Sequence, residues 1–168
     1  MVDVGDNNKD VQAIIDIFND KSVNATFFIN GPWAMRNPNL VHKLRSSGHE
    51  LGNGAYSRKN FKNLSAANQR KEIQGTHLMV KQMVGLEMKL FLPPMRSYNR
   101  NTLKIAEGLG YKTVVWSKNI TEAAQNIRNG DLILLSGGGN TLNELPSIID
   151  FYLSQGFNIV PVGVNIGL

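Results

Sequence analysis

The stretch Val11-Gln12-Ala13-Ile14-Ile15-Asp16-Ile17-Phe18, followed shortly by Ala25-Thr26-Phe27-Phe28-Ile29, decides the fold class. Val11, Ile14, Ile15 and Phe18 recur at helical spacing and give one apolar face. The run Ala25 to Ile29 reads as a buried strand. Working outward, the same alternation continues. Asn39 to Ser46 predicts a short helix closed by Gly48. Ser65 is placed to cap a long helix with Ile73, His77, Val80 and Val84 on one face, stopped by Gly85. Lys89 to Phe91 is a short strand ended by Pro93-Pro94. Leu103, Ala106 and Leu109 form a helical face ended by Gly110. Thr113 to Trp116 predicts a strand, Thr121 to Arg128 a helix and Leu132 to Leu135 an apolar strand. Leu142, Leu145, Ile149 and Tyr152 line another helix, in which Pro146 is tolerable only in the first turn. Ile159 to Val162 predicts the last strand.

Continuous apolar strands joined by helices imply a parallel sheet covered on both faces, either open and doubly wound or closed as a barrel. Periodicity alone does not separate the two. The chain has 168 residues, which suits one domain spanning 1–168. Hydrophobic residues make up 42% and charged residues 18%, a balance that argues for a packed core and against disorder. No apolar run reaches the ~20 residues of a membrane span. The absence of cysteine excludes disulfides, zinc ribbons and thiol catalysis. The net charge of +5 favours an anionic partner, but the cations are scattered along the sequence. The densest stretch, Arg58 to Lys62, carries no nucleic-acid recognition motif, so no nucleic-acid partner is expected. Met1-Val2-Asp3 reads as the end of a strand with no signal peptide before it. The N-terminal strand is therefore expected to be truncated, with any export information lying upstream.

Segments in order and across essentially the whole chain resemble the motif set of the NodB-homology polysaccharide deacetylases, carbohydrate esterase family 4. Ala25-Thr26-Phe27-Phe28-Ile29 resembles the family's "ATFF" strand, and Gly48-His49-Glu50-Leu51-Gly52-Asn53 its "GHEIGN". Phe91-Leu92-Pro93-Pro94 resembles "FRPP", and Leu132 to Leu135 the strand "IILL". Leu64-Ser65 and Gly108-Leu109-Gly110-Tyr111 fit as framing segments. The resemblance implies a distorted parallel (β/α) barrel of about seven strands. It also implies a metal-assisted reaction that hydrolyses acetyl groups on a glycan. In that reaction an Asp and two His hold a divalent metal, often zinc, a second Asp is the base, and a His protonates the leaving amine.

Read residue by residue, the chemistry is gone. The family's "TFDDG" is here Met1-Val2-Asp3-Val4-Gly5, so Asp3 keeps the base position while Val4 replaces a metal ligand. The "HxxxH" motif is Gly54-Ala55-Tyr56-Ser57-Arg58. Glycine offers no donor, and a guanidinium repels a dication. All three protein ligands of the catalytic metal are missing. Leu92 replaces the arginine that orients the base, and Ser136 replaces the catalytic histidine of "LxH". After Trp116, Ser117-Lys118-Asn119-Ile120 runs straight toward a helix, so the family's fourth-motif loop is expected to be deleted. What remains is Asp3, expected to stand idle, and four candidate substrate contacts. These are Arg58, the Met95 backbone N–H at an oxyanion position, Trp116 at the groove, and Leu134 lining the acetate pocket.

Energetics support the loss. A metal lowers the pKa of bound water from ~15.7 to ~7. Without it the supply of hydroxide falls by roughly eight orders of magnitude, or ~12 kcal/mol. A positioned base returns only ~10²–10⁴-fold. His42, His49 and His77 have no ligand spacing, and no histidine motif or nucleophile elbow supports a triad around Ser136. Ser136-Gly137-Gly138-Gly139-Asn140 suits a phosphate cradle or, equally, an inherited loop. Arg58 or Arg96 is expected either to pair with Asp3 or to create an anion-binding cleft. Tyr56 and Tyr98 are further groove candidates. The reading is an inactive deacetylase-like domain with no metal cofactor. Its expected role is extracytoplasmic or at the cell surface, binding a cell-wall glycan or scaffolding wall-modifying proteins. The alternative is a residual hydrolase acting on amide bonds of acetylated glycans.

Overall fold

The structure is a computed structural model. It describes residues 1–5, 10–123, 126–136 and 141–168, with only the backbone of Ser136 and Thr141. The elements are β1 (Val2–Asp3), α1 (Val11–Asp20), β2 (Thr26–Ile29), α2 (Gly31–Arg36), α3 (Pro38–Ser46), β3 (Glu50–Asn53) and α4 (Ala66–Val84). They continue with β4 (Leu90–Phe91), α5 (Arg100–Gly108), β5 (Lys112–Thr113), β6 (Lys118–Asn119), α6 (Ile120–Ala123), β7 (Ile133–Ser136), α7 (Thr141–Ser154) and α8 (Val162–Asn165). Local signals act where the sequence puts them. Val11, Ile14, Ile15 and Phe18 are the buried face of α1, each worth ~1.5–3 kcal/mol over exposure. The Ser65 hydroxyl accepts from the Asn68 N–H, and Gly85 closes α4 with φ +66°, a left-handed conformation that favours glycine.

The strands order as β5-β4-β3-β2-β1-β7-β6, and every pair is parallel. The two edge strands belong to one segment, 112–119. Its first half bonds β4, through the Val114 N–H to the Phe91 carbonyl, and its second half bonds β7, through the Ser117 N–H to the Leu132 carbonyl. One stretch of chain thus joins both edges and closes the sheet into a distorted barrel. Periodicity could not choose between closed and open because both present the same apolar strands. Two cores result. The larger lies between sheet and helices and includes Val4, Phe27, Ile29, Trp33, Ile73 and Leu135. The smaller fills the barrel with Phe28, Leu90, Leu92, Val114 and Val162, with Trp116 and Leu132 packed against it.

Four expectations are corrected. Ile159–Val162 forms no strand: Val162 opens α8 instead, and its N–H donates to the Thr26 hydroxyl at 2.7 Å. The segment after Trp116 does not run straight into a helix, because Lys118–Asn119 first pair with Ile133–Leu134 as β6. The following helix stops at Ala123, and residues 126–128 are not helical. Pro146 lies inside α7, beyond its first turn. The helix runs through it without an N–H to offer the Leu142 carbonyl.

At the N-terminal ends of the strands, a polar clamp seals the barrel. Thr26 and Glu50, in register on β2 and β3, are joined by a 2.5 Å bond from the Thr26 hydroxyl to Glu50 Oε2. The same carboxylate oxygen accepts from the Gly163 N–H at 2.9 Å.

Candidate functional site

The residues at the motif positions belong to the other end, where parallel strands deliver their C-terminal residues. Asp3 ends β1, beside Phe28 of β2 and Ser136 of β7. Val4 follows, fully buried. Its carbonyl is held by Asn30 Nδ2 at 3.1 Å, and its isopropyl group belongs to the outer core.

The turn after β3 is built by Asn53. Its Oδ1 accepts from the Ala55 N–H at 2.9 Å, while Nδ2 donates to the Ile73 carbonyl at 2.8 Å and to the Tyr111 hydroxyl at 3.1 Å. Burial pushes the Tyr111 hydroxyl up to about 12. Tyr111 also meets His77 Nδ1 at 2.5 Å, and His77 Nε2 meets Glu87 at 2.8 Å. One step along the turn, Glu72 of α4 takes the Ser57 N–H at 2.7 Å and the Ser57 hydroxyl at 2.6 Å. Anchored there, the chain turns through Arg58, whose guanidinium grips Asp3 with both arms: Nη1–Oδ1 2.6 Å and Nη2–Oδ2 3.0 Å. Both partners are largely covered, at 24% and 15% side-chain exposure. Of the two arginines placed against Asp3, Arg58 is the one that pairs.

The other candidates take different places. Arg96 stacks over Trp116 at 4.9 Å. The other contacts of Trp116 are with the barrel interior, so a sugar stacking on the face under Arg96 must displace that guanidinium. Met95 is 62% exposed. Leu134 is buried and paired with Asn119. Leu92 is buried in the barrel's apolar filling, which explains how the chain accommodates the loss of arginine there. Tyr56 is a packing residue: a Cβ on Gly31 would lie 2.3 Å from its ring, and one on Gly75 3.1 Å. His49 is buried against Phe18 and Phe27, its Nδ1 accepting from the Ala25 N–H. His42, exposed on α3, and His77 lie on separate helices. The Ser136 side chain and residues 137–140, and with them the triad and phosphate-cradle readings, lie outside the described residues.

Four non-glycine residues flanking the site, Ala55, Arg58, Met95 and Arg96, have positive φ (65°, 47°, 53° and 52°). Such strain costs on the order of 1–3 kcal/mol per residue and concentrates at functional sites. The donor set does not fit the family's divalent metal. Val4 and Gly54 offer no side-chain donor, Arg58 is a cation, and among the described residues no group of three acidic or imidazole side chains could hold an ion. Glu72 and Asn53, which shape the turn, were missed in the sequence. A signal existed for Glu72, since it sits at helical spacing with the buried Gln69, Ile73, Thr76 and Val80.

A family model described as "Polysaccharide deacetylase" matches residues 1–114. The uncharacterized protein YlxY of Bacillus subtilis is 25% identical over 94% of this chain and 53% of its own length. A peptidoglycan-N-acetylglucosamine deacetylase of Bacillus cereus is 29% identical over 89% of this chain and 78% of its own. The chain spans about half the length of the first curated relatives it matches, 53% and 49%. A Bacillus anthracis protein described as a "CE4 family pseudoenzyme" superposes with a TM-score of 0.92 at 24% identity, covering 99% of this chain and 65% of that one. A mutant of it described as "with restored enzymatic activity" superposes equally well, at 0.92 and 23% identity. Motif order, parallel barrel and matched segment agree: this chain belongs to the polysaccharide deacetylase family.

Proposed function

We propose that this domain has given up metal-dependent deacetylation and works without catalysis in the cell envelope, binding a wall glycan or scaffolding wall-modifying proteins. The observation that carries this is the bidentate Arg58–Asp3 pair. It places a permanent cation at a metal-ligand position and occupies both oxygens of the one retained acidic residue. An Asp so engaged is a poor general base, because its lone pairs already serve the guanidinium. The relatives named as peptidoglycan deacetylases support an extracytoplasmic setting.

The test is metal analysis of the purified protein, coupled to acetate release from chitooligosaccharides and peptidoglycan. The expected result is no stoichiometric zinc, cobalt or nickel and no acetate above the blank. About one metal per chain, removable by chelator with a fall in Tm, overturns the reading. A residual hydrolase is the second reading, favoured by the 29% identity to a named deacetylase, and the same assay decides it. Repair by Val4→Asp, Gly54→His and Arg58→His should restore metal binding with little turnover, since Leu92 and Ser136 are still missing their family counterparts. The tight place is Gly54, where a Cβ would stand 3.1 Å from the Ile29 carbonyl oxygen.

A further inference from the structure

Cations that look scattered in the sequence are sorted by the fold. Residues 51–71 contain Arg58, Lys59, Lys62, Arg70 and Lys71 and no Asp or Glu. Residues 88–106 contain Lys89, Arg96, Arg100 and Lys104, again without a carboxylate. The first segment leaves the C-terminal end of β3 and the second that of β4, the neighbouring strand. The two loops are tied together. The Lys62 N–H donates to the Ser97 hydroxyl at 3.1 Å, and that hydroxyl donates in turn to Asn60 Oδ1. Lys62 and Arg96 therefore flank one cross-link, with Lys59 before it and Arg100 just after, at the start of α5.

Lys59, Lys62, Arg96 and Arg100 are all exposed. Lys59 has a long contact of 3.6 Å to Glu72, and among the described residues no carboxylate pairs with Lys62, Arg96 or Arg100. Three of the four exposed rim cations thus have no paired carboxylate among the described residues, and the loops that carry them are tied together by hydrogen bonds.

We propose that this rim holds an anionic wall polymer of polyol units joined by repeated phosphodiester groups. The ligand class follows from the chemistry. Several cations along two joined loops match charge repeated along a chain better than one isolated anion. Single-stranded nucleic acid needs exposed aromatic platforms for its bases. Near this rim the Trp116 ring already lies under Arg96 and Tyr98 is half-buried. The inference rests on the non-catalytic wall-glycan reading and names its ligand.

The experiment titrates the protein with poly(glycerol phosphate), neutral chitooligosaccharide and single-stranded oligonucleotide at low and moderate salt. Expected is binding of the phosphate polymer that weakens steeply with salt. Each cation near an anionic surface contributes about fivefold, so Lys62→Ala with Arg100→Ala should weaken polymer binding by roughly 30-fold without moving the Tm. Any affinity for the neutral sugar should be unaffected by the same variant. No polymer binding, an unchanged affinity in the folded variant, or tighter binding of the oligonucleotide overturns the rim proposal. Metal uptake and acetate release, measured on the same preparation, test the non-catalytic reading separately.

Discussion

The two ends of the barrel solve the same problem with different chemistry. At one end Glu50 meets neutral donors, the Thr26 hydroxyl and the Gly163 N–H, in a setting closed by α8. At the other, Asp3 meets a full cation, Arg58, on a strained loop, with both groups partly open to solvent. The first arrangement follows the rule that buried acceptors are matched by hydrogen-bond donors. The second is electrostatic, because a carboxylate with little solvent contact needs positive charge beside it. In parallel barrels conservation at the first end speaks of stability and at the second of chemistry. Here the second end holds an internal ion pair between Arg58 and Asp3.

The comparison makes an ordered set of predictions. The largest effect belongs to the closed end. Glu50→Leu should cost ~2–6 kcal/mol, since the Thr26 hydroxyl and the Gly163 N–H each lose an acceptor at ~1–3 kcal/mol, read from urea denaturation. A cost smaller than that of Arg58→Ala would invert the contrast between the ends.

Next comes the support beneath the open end. Tyr111 anchors Asn53, and its hydroxyl is raised from the ordinary 10 to about 12, chiefly by burial. The folded state therefore holds this proton more tightly than the unfolded chain does. That stabilisation is complete below pH 10 and is lost as the pH rises toward 12, by ~2–3 kcal/mol. Tyr111→Phe should flatten this alkaline limb, although Tyr152, also raised by burial, keeps a share of it. An unchanged stability profile between pH 9 and 12 would remove Tyr111 from the account.

The smallest effect is expected at the pair itself. Broken buried pairs cost ~3–5 kcal/mol and exposed pairs ~0–1. At this partial exposure Arg58→Ala should cost about 1–2 kcal/mol. A double-mutant cycle with Asp3→Ala should show coupling of similar size. Zero coupling would mean that the two groups do not depend on each other in solution.

Much of this was legible from residues alone. The helical spacing of Val11, Ile14, Ile15 and Phe18, the cap at Ser65 and the stop at Gly85 are local, and the structure keeps them. The loss of donors at Val4 and Gly54 is also local, because no fold can give a valine or glycine side chain a lone pair. Ile159–Val162 misled because a short apolar run serves a strand or a capping segment equally well. Only the clamp on Thr26 and Glu50 selects the second.

By itself, then, the sequence determined most of the secondary-structure alternation, the family and the absence of side-chain donors at Val4 and Gly54, all of which depend on side-chain chemistry and near-neighbour spacing. Tertiary structure decided the rest. It chose Arg58 over Arg96 as the partner of Asp3, across 55 residues of chain. It closed the barrel through the shared segment 112–119 and gathered Lys59, Lys62, Arg96 and Arg100 on one rim. The reason is physical. A charge finds its partner where packed loops place it within about 3 Å, and no periodicity in the chain encodes that distance.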